Sequence, residues 1–477
     1  MSSPTVVIVG SGLAGLSAAY TALSSAQTPH ASIHVLMLEQ APKPGGNSIK
    51  ASSGINGAPT PFQQHGGGTD DKFLQDTFRS AGKRFHDAGE KDRERLIRTL
   101  VESSRDAIGF LTGLGVDLSV VTQLGGHSVA RTHRGGGKTP PGYALVSGLL
   151  KRLGEEFGER FELVTGAAVT GLVREGAEVK GVRYVREGEE KEVRGPVIFA
   201  TGGFAGDTEG LLKRYRADLG GLPSTNEARK GMHDLLVGVG ATLVDMESVQ
   251  VHPTGFVDPK DIGARVKFLA AEMLRGEGGV LLYKGKRFVN ELDTRDRVSQ
   301  KIMDLEPVEG EDGGLKQWDV QLVLDPGAAQ AAEGHVGFYL FKGLLQKKRF
   351  SELDKTTKMT LKEVGETVRE NKTDPFGRPG FGHWKLFVED SEEDPEVVVG
   401  RVTPIVHFTM GGVVIDDHAR VLSSDLGTEP KPIPGLWAAG EITGGIHGDN
   451  RLGGSSLLEC VVYGRIAGHE AAKAAAS

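Results

Sequence analysis

Thiols are all but missing from this chain. Cys460 is the only cysteine in 477 residues, which excludes an intramolecular disulfide framework and an iron–sulfur cluster held by several thiolates of the chain. No CxxCH segment occurs, so covalent haem attachment of that type is excluded, and no metal site is expected. Long apolar runs are also missing: nothing stays apolar over the roughly 18 residues a membrane span needs. Met1-Ser2-Ser3-Pro4 leads directly into Val6-Val7-Ile8-Val9, without the charged and apolar regions of a signal or transit peptide. There is no basic run and the net charge is −7, so neither nucleic acid nor a membrane is expected as a partner. The expectation is a soluble protein of a reducing compartment, most simply the cytoplasm.

Glycine, by contrast, is abundant. Its 69 residues far exceed the usual roughly 7%. They fall in GG and GxG units with no Gly-X-Y period, as tight turns and close backbone approach to a bulky ligand would require. Apolar residues at 38% and charged residues at 25% describe a globular chain, too long for one core, so two domains are expected.

The chain opens as strand, glycine turn, helix and strand: Thr5 to Val9, then Leu13 to Leu23, then Ile33 to Leu38. Apolar residues at helical spacing predict helices over Asp71–Phe85 and Asp92–Leu114. Between Phe161 and Ala200, short strands joined by charged turns predict a β-meander, followed by the buried strand Val197 to Ala200. Residues from about 248 to 408 are less regular and include the loop-like Glu306–Gly314 and the acidic Glu389–Glu396. Strand, glycine-rich loop and long helix return from Gly435 onward. The fold class is therefore α/β: a Rossmann-like domain in two segments, 1–247 and 409–477, with a β-meander and an inserted α+β domain over 248–408.

Gly10-Ser11-Gly12-Leu13-Ala14-Gly15 satisfies GxGxxG where it counts, after a strand and at the start of a helix. The glycines permit a tight turn and backbone approach to a pyrophosphate, whose charge the helix N-terminus favours. Glu39 stands about twenty residues on, where an acid accepts from a ribose hydroxyl. A glycine turn before a helix can be purely structural; the strand context and Glu39 point to a dinucleotide. FAD is favoured over a nicotinamide by the small and amide residues that follow, Gly45-Gly46-Asn47-Ser48 and Ser53-Gly54-Ile55-Asn56, and by two later glycine turns at strand ends, Thr201-Gly202-Gly203 and Gly440-Glu441. Each turn alone has an ordinary structural reading; their order along one chain is more specific. The helix opening at Gly454-Ser455-Ser456-Leu457 adds free N–H groups suited to an anionic reduced flavin.

Five further phrases supply cations, acids and histidines: Gln250-Val251-His252-Pro253, Glu272-Met273-Leu274-Arg275, Asn290 to Asp296 with Arg295 among acids, His407-Phe408-Thr409, and His447 to Gly454 with Arg451. Singly each has an ordinary reading, since a lone histidine is more often structural. Glu272 and Arg275, three apart on a helical turn, could be a surface pair worth under about 1 kcal/mol. Together they supply cations, hydrogen-bond donors and acids of the kind that bind and protonate a carboxylate-bearing substrate.

With these motifs in order, the sequence resembles the succinate dehydrogenase/fumarate reductase flavoprotein family over essentially its whole length, and within it the soluble fungal-type fumarate reductases. The resemblance implies a capping domain over 248–408 that closes over substrate, and FAD contacts at Gly10, Gly12, Ala14, Gly15, Glu39, Gln40, Gly46, Asn47, Ser48, Ser53, Gly54, Ile55 and Asn56. It extends them to Ala168, Val169, Thr201, Gly202, Gly203, Gly440, Glu441, Arg451, Gly454, Ser455, Ser456 and Leu457. Asn47 stands where membrane-bound relatives carry a flavin-linking histidine, so FAD is expected to be non-covalent. Lys230-Gly231-Met232-His233-Asp234 replaces the family's Thr-Gly-Asp-Gly, with Asp234 as the substitute contact. Ala271 stands where relatives often carry threonine, removing one hydroxyl.

By the same resemblance, His407 and Arg451 hold one carboxylate of fumarate or succinate, and His252, with Gln250, helps hold the other. Arg295 is the proton donor, with Glu272 and Arg275 relaying protons toward solvent. Electrons are expected from a free reduced flavin or a separate reductase. The alternatives are a related flavin enzyme acting on another activated alkene (a 2-enoate, urocanate or ketosteroid type) and a flavin-binding protein without turnover.

Overall fold

The computed structural model describes residues 4–25, 33–63, 70–86, 90–137, 139–309, 314–387, 394–423 and 430–477. Met1 to Ser3, much of the Glu306–Gly314 loop and most of the acidic Glu389–Glu396 stretch lie outside them. The chain forms two units. One holds Met1–Tyr215, Arg229–Val249 and Phe408–Ser477, the other Arg216–Ala228 and Gln250–His407. The segment 216–228, which the sequence leaves with the first unit, joins the second because Ser224 bridges backbone there: its N–H donates to Arg265, and Thr225 donates to Val406.

The first unit is built on a six-stranded sheet in the order Arg420–Ser423, Lys431–Ala438, Val197–Phe199, Thr5–Val9, His34–Glu39, Phe161–Thr165. All pairings are parallel except the first. Val9 lies opposite both Leu38 and Phe199, and Phe199 opposite Ala438. The strands therefore end together, and the turns that follow, at Gly10, Glu39, Thr201 and Gly440, leave one edge of the sheet. Ligands of doubly wound folds bind at that carboxyl edge. The meander is three antiparallel strands, Ala168–Glu175, Glu178–Arg186 and Glu189–Arg194.

Two helices pack over this sheet, Leu13–Ser25 and Ser455–Ala476. Small residues let them approach closely: a methyl added at Gly464 would lie 2.4 Å from the Ala14 carbonyl oxygen, and one at Gly468 only 2.2 Å from that of Ala18. On the C-terminal helix Leu457, Leu458, Val461, Val462 and Ala467 are buried and Ile466 is partly so. The helices expected over Asp71–Phe85 and Asp92–Leu114 are each interrupted. The first gives way to a 3-10 turn over Gly82–His86, where Gly82 adopts φ +65°. The second breaks at Ser103, because the next residue, Ser104, is buried and bonds both backbone groups of Ala58.

The second unit is α+β. Its sheet runs Val249–Phe256, Glu396–Thr409, Val320–Leu324, Val280–Tyr283, Lys286–Arg287, with helices including Arg295–Met303 and Lys355–Arg369. A separate core of Val280, Leu282, Val323, Phe350, Leu361, Trp384 and Val397, among others, holds it together.

Candidate functional site

In the first unit the GxGxxG turn is fixed by its own geometry. Gly10 has φ +103°, and a methyl there would strike the Ala200 carbonyl oxygen at 2.4 Å, so only glycine fits. Gly12 differs: a methyl there would meet nothing nearer than Ser48 Oγ at 3.4 Å. No protein atom demands a glycine at this position, which leaves room above the helix N-terminus for a phosphate. Leu13 N–H donates to Ser48 Oγ (3.1 Å), tying the Gly46–Ser48 segment to the turn.

Glu39 ends its strand 3% exposed. Ser11 donates to Oε2 from its N–H (3.0 Å) and hydroxyl (2.6 Å), and Ala41 N–H donates to Oε1 (2.8 Å). The carboxylate is thereby aimed beside the glycine turn. Arg229 Nη1 also lies 3.7 Å from Oε1, a neighbour the sequence did not suggest. Thr201 Oγ1 is buried with no partner among the described residues, the kind of orphaned hydroxyl a bound group satisfies. Glu441 accepts from the Thr409 N–H (2.9 Å) and hydroxyl (3.2 Å); burial pushes its pKa up to about 7. Roomy backbone at Gly12, the aimed Glu39 and the orphan at Thr201 fit FAD.

Other expected contacts fall as follows. Gly54, Ile55 and Asn56 are buried, Ser53, Ala168 and Val169 half-buried, Gln40 and Asn47 exposed. Asp234 does not come to the cradle as a free carboxylate: Arg214 holds both its oxygens, at 2.8 and 3.1 Å, on an exposed face.

The loop carrying Arg451 is pinned along its length. His447 Nε2 bonds the buried carboxyl of Glu459. Asp449 Oδ2 accepts from the N–H groups of Lys83 (2.8 Å) and Arg84 (3.3 Å), and Ser80 Oγ donates to the Asn450 carbonyl (3.0 Å). Arg451 stacks on Phe408, 4.3 Å from the ring centroid, and donates to the Leu452 carbonyl. Asn56 Nδ2 donates to the Gly453 carbonyl (2.8 Å) and Ser455 Oγ (3.0 Å).

The second unit gathers Gln250, His252, Glu272, Arg275, Arg295 and His407. The strand Val249–Phe256 is buried throughout and presents Gln250 and His252 on one face. The His252 and His407 rings meet edge-on at 5.5 Å. Arg295 opens the helix Arg295–Met303, where the helix dipole disfavours a cation; Glu272 offsets this, accepting from its Nε (3.0 Å) and Nη2, while Nη1 donates to Gln250 Oε1 (3.2 Å). Burial alone would raise the Glu272 pKa, but the Arg295 and Arg275 guanidiniums hold it at about 2.

Arg275 differs from the expected solvent-directed relay. It is 2% exposed, donates Nη1 to the Glu291 carbonyl (2.6 Å), and its pKa is pushed down by burial. Its own carbonyl is taken by Arg378 Nη2 (2.8 Å). Behind it the Glu291 carboxylate, fully buried, accepts from Leu281 N–H, from Arg287 Nε and Nη2 and from Arg378 Nη1, all at 2.8–3.1 Å. Arg378, and Asp374, which pairs Arg287, carried no signal in the sequence, since their partners Glu291 and Arg287 are 87 residues away. Tyr339 was also missed; its hydroxyl accepts from the Ala271 N–H (3.2 Å) and donates to the Leu269 carbonyl (3.0 Å), steadying the approach to Glu272. Among the described residues no cluster of histidine, cysteine, aspartate and glutamate suits a metal ion, and no helix is long and apolar enough to cross a membrane.

A family model described as FAD binding domain matches residues 5–457. Fumarate reductase 1 of Saccharomyces cerevisiae is 40% identical over 98% of this chain and 98% of its own length. The fumarate reductase of Schizosaccharomyces pombe is 40% identical over 98% of this chain and 88% of its own. A solved structure of the open conformation of a flavocytochrome c3 fumarate reductase is similar with a TM-score of 0.78 at 29% identity, covering 100% of this chain and 79% of that one.

Proposed function

The chain belongs to the FAD binding domain family, and from that premise we propose that it is a fumarate reductase, carrying non-covalent FAD and converting fumarate to succinate. The observation that carries this reading is Arg295, joined to Glu272 and Gln250 in one cluster with His252 and His407. FAD held by the Gly10–Gly15 turn, Glu39 and Thr201 would, once reduced, supply the hydride for one alkene carbon. Arg295 gives a proton to the other, so one hydride and one proton complete succinate. A guanidinium is ordinarily too weak an acid for this; it serves when the carbon gains carbanion character as hydride arrives. Glu272, ionised at rest, takes up a proton from solvent and passes it to the neutral guanidine, which is a far stronger base than a carboxylate. Arg275 acts as a buried cation that keeps Glu272 ionised between turnovers.

In this reading His407 and Arg451 bind one carboxylate and His252 and Gln250 the other, arginine through two parallel hydrogen bonds. Electrons come from a free reduced flavin or a separate reductase, in a reducing compartment, most simply the cytoplasm, which the single cysteine supports. The test is anaerobic. Protein with chemically reduced flavin is mixed with fumarate, and oxidised-flavin absorbance should return with one succinate formed per flavin. A flavin that stays reduced with fumarate but is oxidised by a 2-enoate would move the substrate; one that no alkene oxidises would remove catalysis.

A further inference from the structure

Three residues that no part of the proposed chemistry uses form a buried chain ending on the Arg451 loop. Asp76 accepts from the Ser128 N–H (2.7 Å), the Ser128 hydroxyl (2.8 Å) and Arg131 Nη1 (2.7 Å). Arg131 is wholly buried, stacks on Phe73 with its guanidinium 4.8 Å from the ring centroid, and places Nη1 2.7 Å from His127 Nδ1. His127 Nε2 lies 2.9 Å from the Gly453 carbonyl.

The chemistry fixes the proton. Arginine has donors only, so His127 Nδ1 must accept, and the ring proton sits on Nε2 and is donated to Gly453. A proton on Nδ1 would face the guanidinium donor. The Gly453 carbonyl thus receives two side-chain donors, His127 and Asn56 (2.8 Å). That carbonyl lies two residues after Arg451 and two before Ser455, the first residue of the C-terminal helix.

Burying an ion pair and a histidine is seldom the most stabilising use of a core, and apolar residues would fill the space as well. What the chain does that apolar packing cannot is hold one carbonyl in one place. We propose that Asp76, Arg131 and His127 are positioning residues for Arg451 and the head of the C-terminal helix. This rests on the reading of Arg451 as a carboxylate-binding residue.

The test uses flavin-loaded protein and two substitutions. His127→Asn keeps an oxygen for Arg131 but is too short to reach Gly453. His127→Gln can accept from Arg131 and donate to Gly453 together. Succinate binding is read from the perturbed flavin spectrum, alongside KM and kcat for fumarate. The asparagine variant should raise the succinate Kd and fumarate KM by about tenfold to a hundredfold, more than it lowers kcat, and glutamine should restore both to near the parent. Parent-like constants in His127→Asn, or a glutamine variant that melts like the parent yet is equally impaired, would overturn the proposal. In the unmutated protein, nitrogen NMR should find His127 neutral with its proton on Nε2; a proton on Nδ1 overturns it without any variant. If the parent itself binds no succinate, the assignment of Arg451 fails instead, and the NMR result still stands.

Discussion

Arg295 turns both its Nε and its Nη2 to a single oxygen of Glu272, Oε2, rather than spreading its fork over both. The second carboxylate oxygen is left outside the pair, on a side chain that is 21% exposed against 11% for Arg295. In the reading proposed above, a returning proton would pass from solvent to Glu272 and from that carboxyl to Arg295.

Glu272→Gln keeps an acceptor for Arg295 but cannot carry the proton. Its kcat on fumarate should fall by about 10²–10⁴-fold, the usual worth of a proton-transfer group, while succinate still perturbs the flavin spectrum. The pH profile gives a second check. The folded pKa of about 2 lies below the ordinary value, so stability from this pair is present above the unfolded pKa and lost only as pH falls toward 2. The parent should show no activity limb near pH 4–5 that the substitution removes; finding one would mean that the ion pair does not govern Glu272.

What the sequence made legible were features compressed into short phrases. GxGxxG with Glu39 works because the turn and the acid belong to one strand–helix–strand unit, and the parallel register Val9–Leu38 aligns their ends. Gln250 and His252 stood out as one short phrase before a proline, and the strand Val249–Phe256 places them on one face. Asp76, His127 and Arg131 were not, because neither periodicity nor charge marks a pair such as Asp76–Arg131 until a helix and a loop meet. The Glu291–Arg378 pair was hidden for the same reason, and the burial of Arg275, expected as part of a relay toward solvent, was not legible because helical spacing gives its neighbours on the helix but not which side is covered.

Glu291 is the strongest stability prediction. Its carboxylate is wholly enclosed and meets two guanidiniums and a backbone N–H. Glu291→Ala leaves Arg287 with only Asp374 and deprives Arg378 of its anion. Losing one partner of a buried pair costs about 3–5 kcal/mol, and the urea midpoint should fall accordingly. A loss below about 1 kcal/mol would imply that water reaches the cluster.

Glu441 should make stability depend on pH in the opposite sense to Glu272. Burial first, with Glu459 adding to it, raises its folded pKa to about 7. A raised carboxyl contributes stability that is full below the unfolded pKa and declines as pH climbs through 7. Glu441→Gln mimics the neutral form, so its melting temperature should change less than the parent's between pH 5 and 8. Parallel curves would show that Glu441 is already ionised at pH 5.

Attachment of the flavin is a separate matter. Asn47 is exposed and has no nucleophile to offer a flavin methyl group. Acid precipitation of the purified protein should therefore release all yellow colour into the supernatant. Colour retained in the pellet would require a covalent link through some other residue.

Arg295→Lys separates proton donation from simple anchoring. Lysine keeps the charge, but its single ammonium cannot reproduce contacts that Arg295 makes from three nitrogens, to Glu272 and Gln250 at once. If Arg295 is the acid, the proton is misplaced relative to the alkene carbon and disconnected from Glu272. Then kcat at saturating fumarate should nearly vanish, while FAD content and succinate binding persist. If Arg295 only holds substrate, the loss is uniform binding: KM rises and kcat stays within about tenfold of the parent. With a reduced dye as donor, kcat and the succinate titration can be read on the same preparation. A variant that binds poorly yet turns over well when saturated would make Arg295 a clamp and leave the proton to another group.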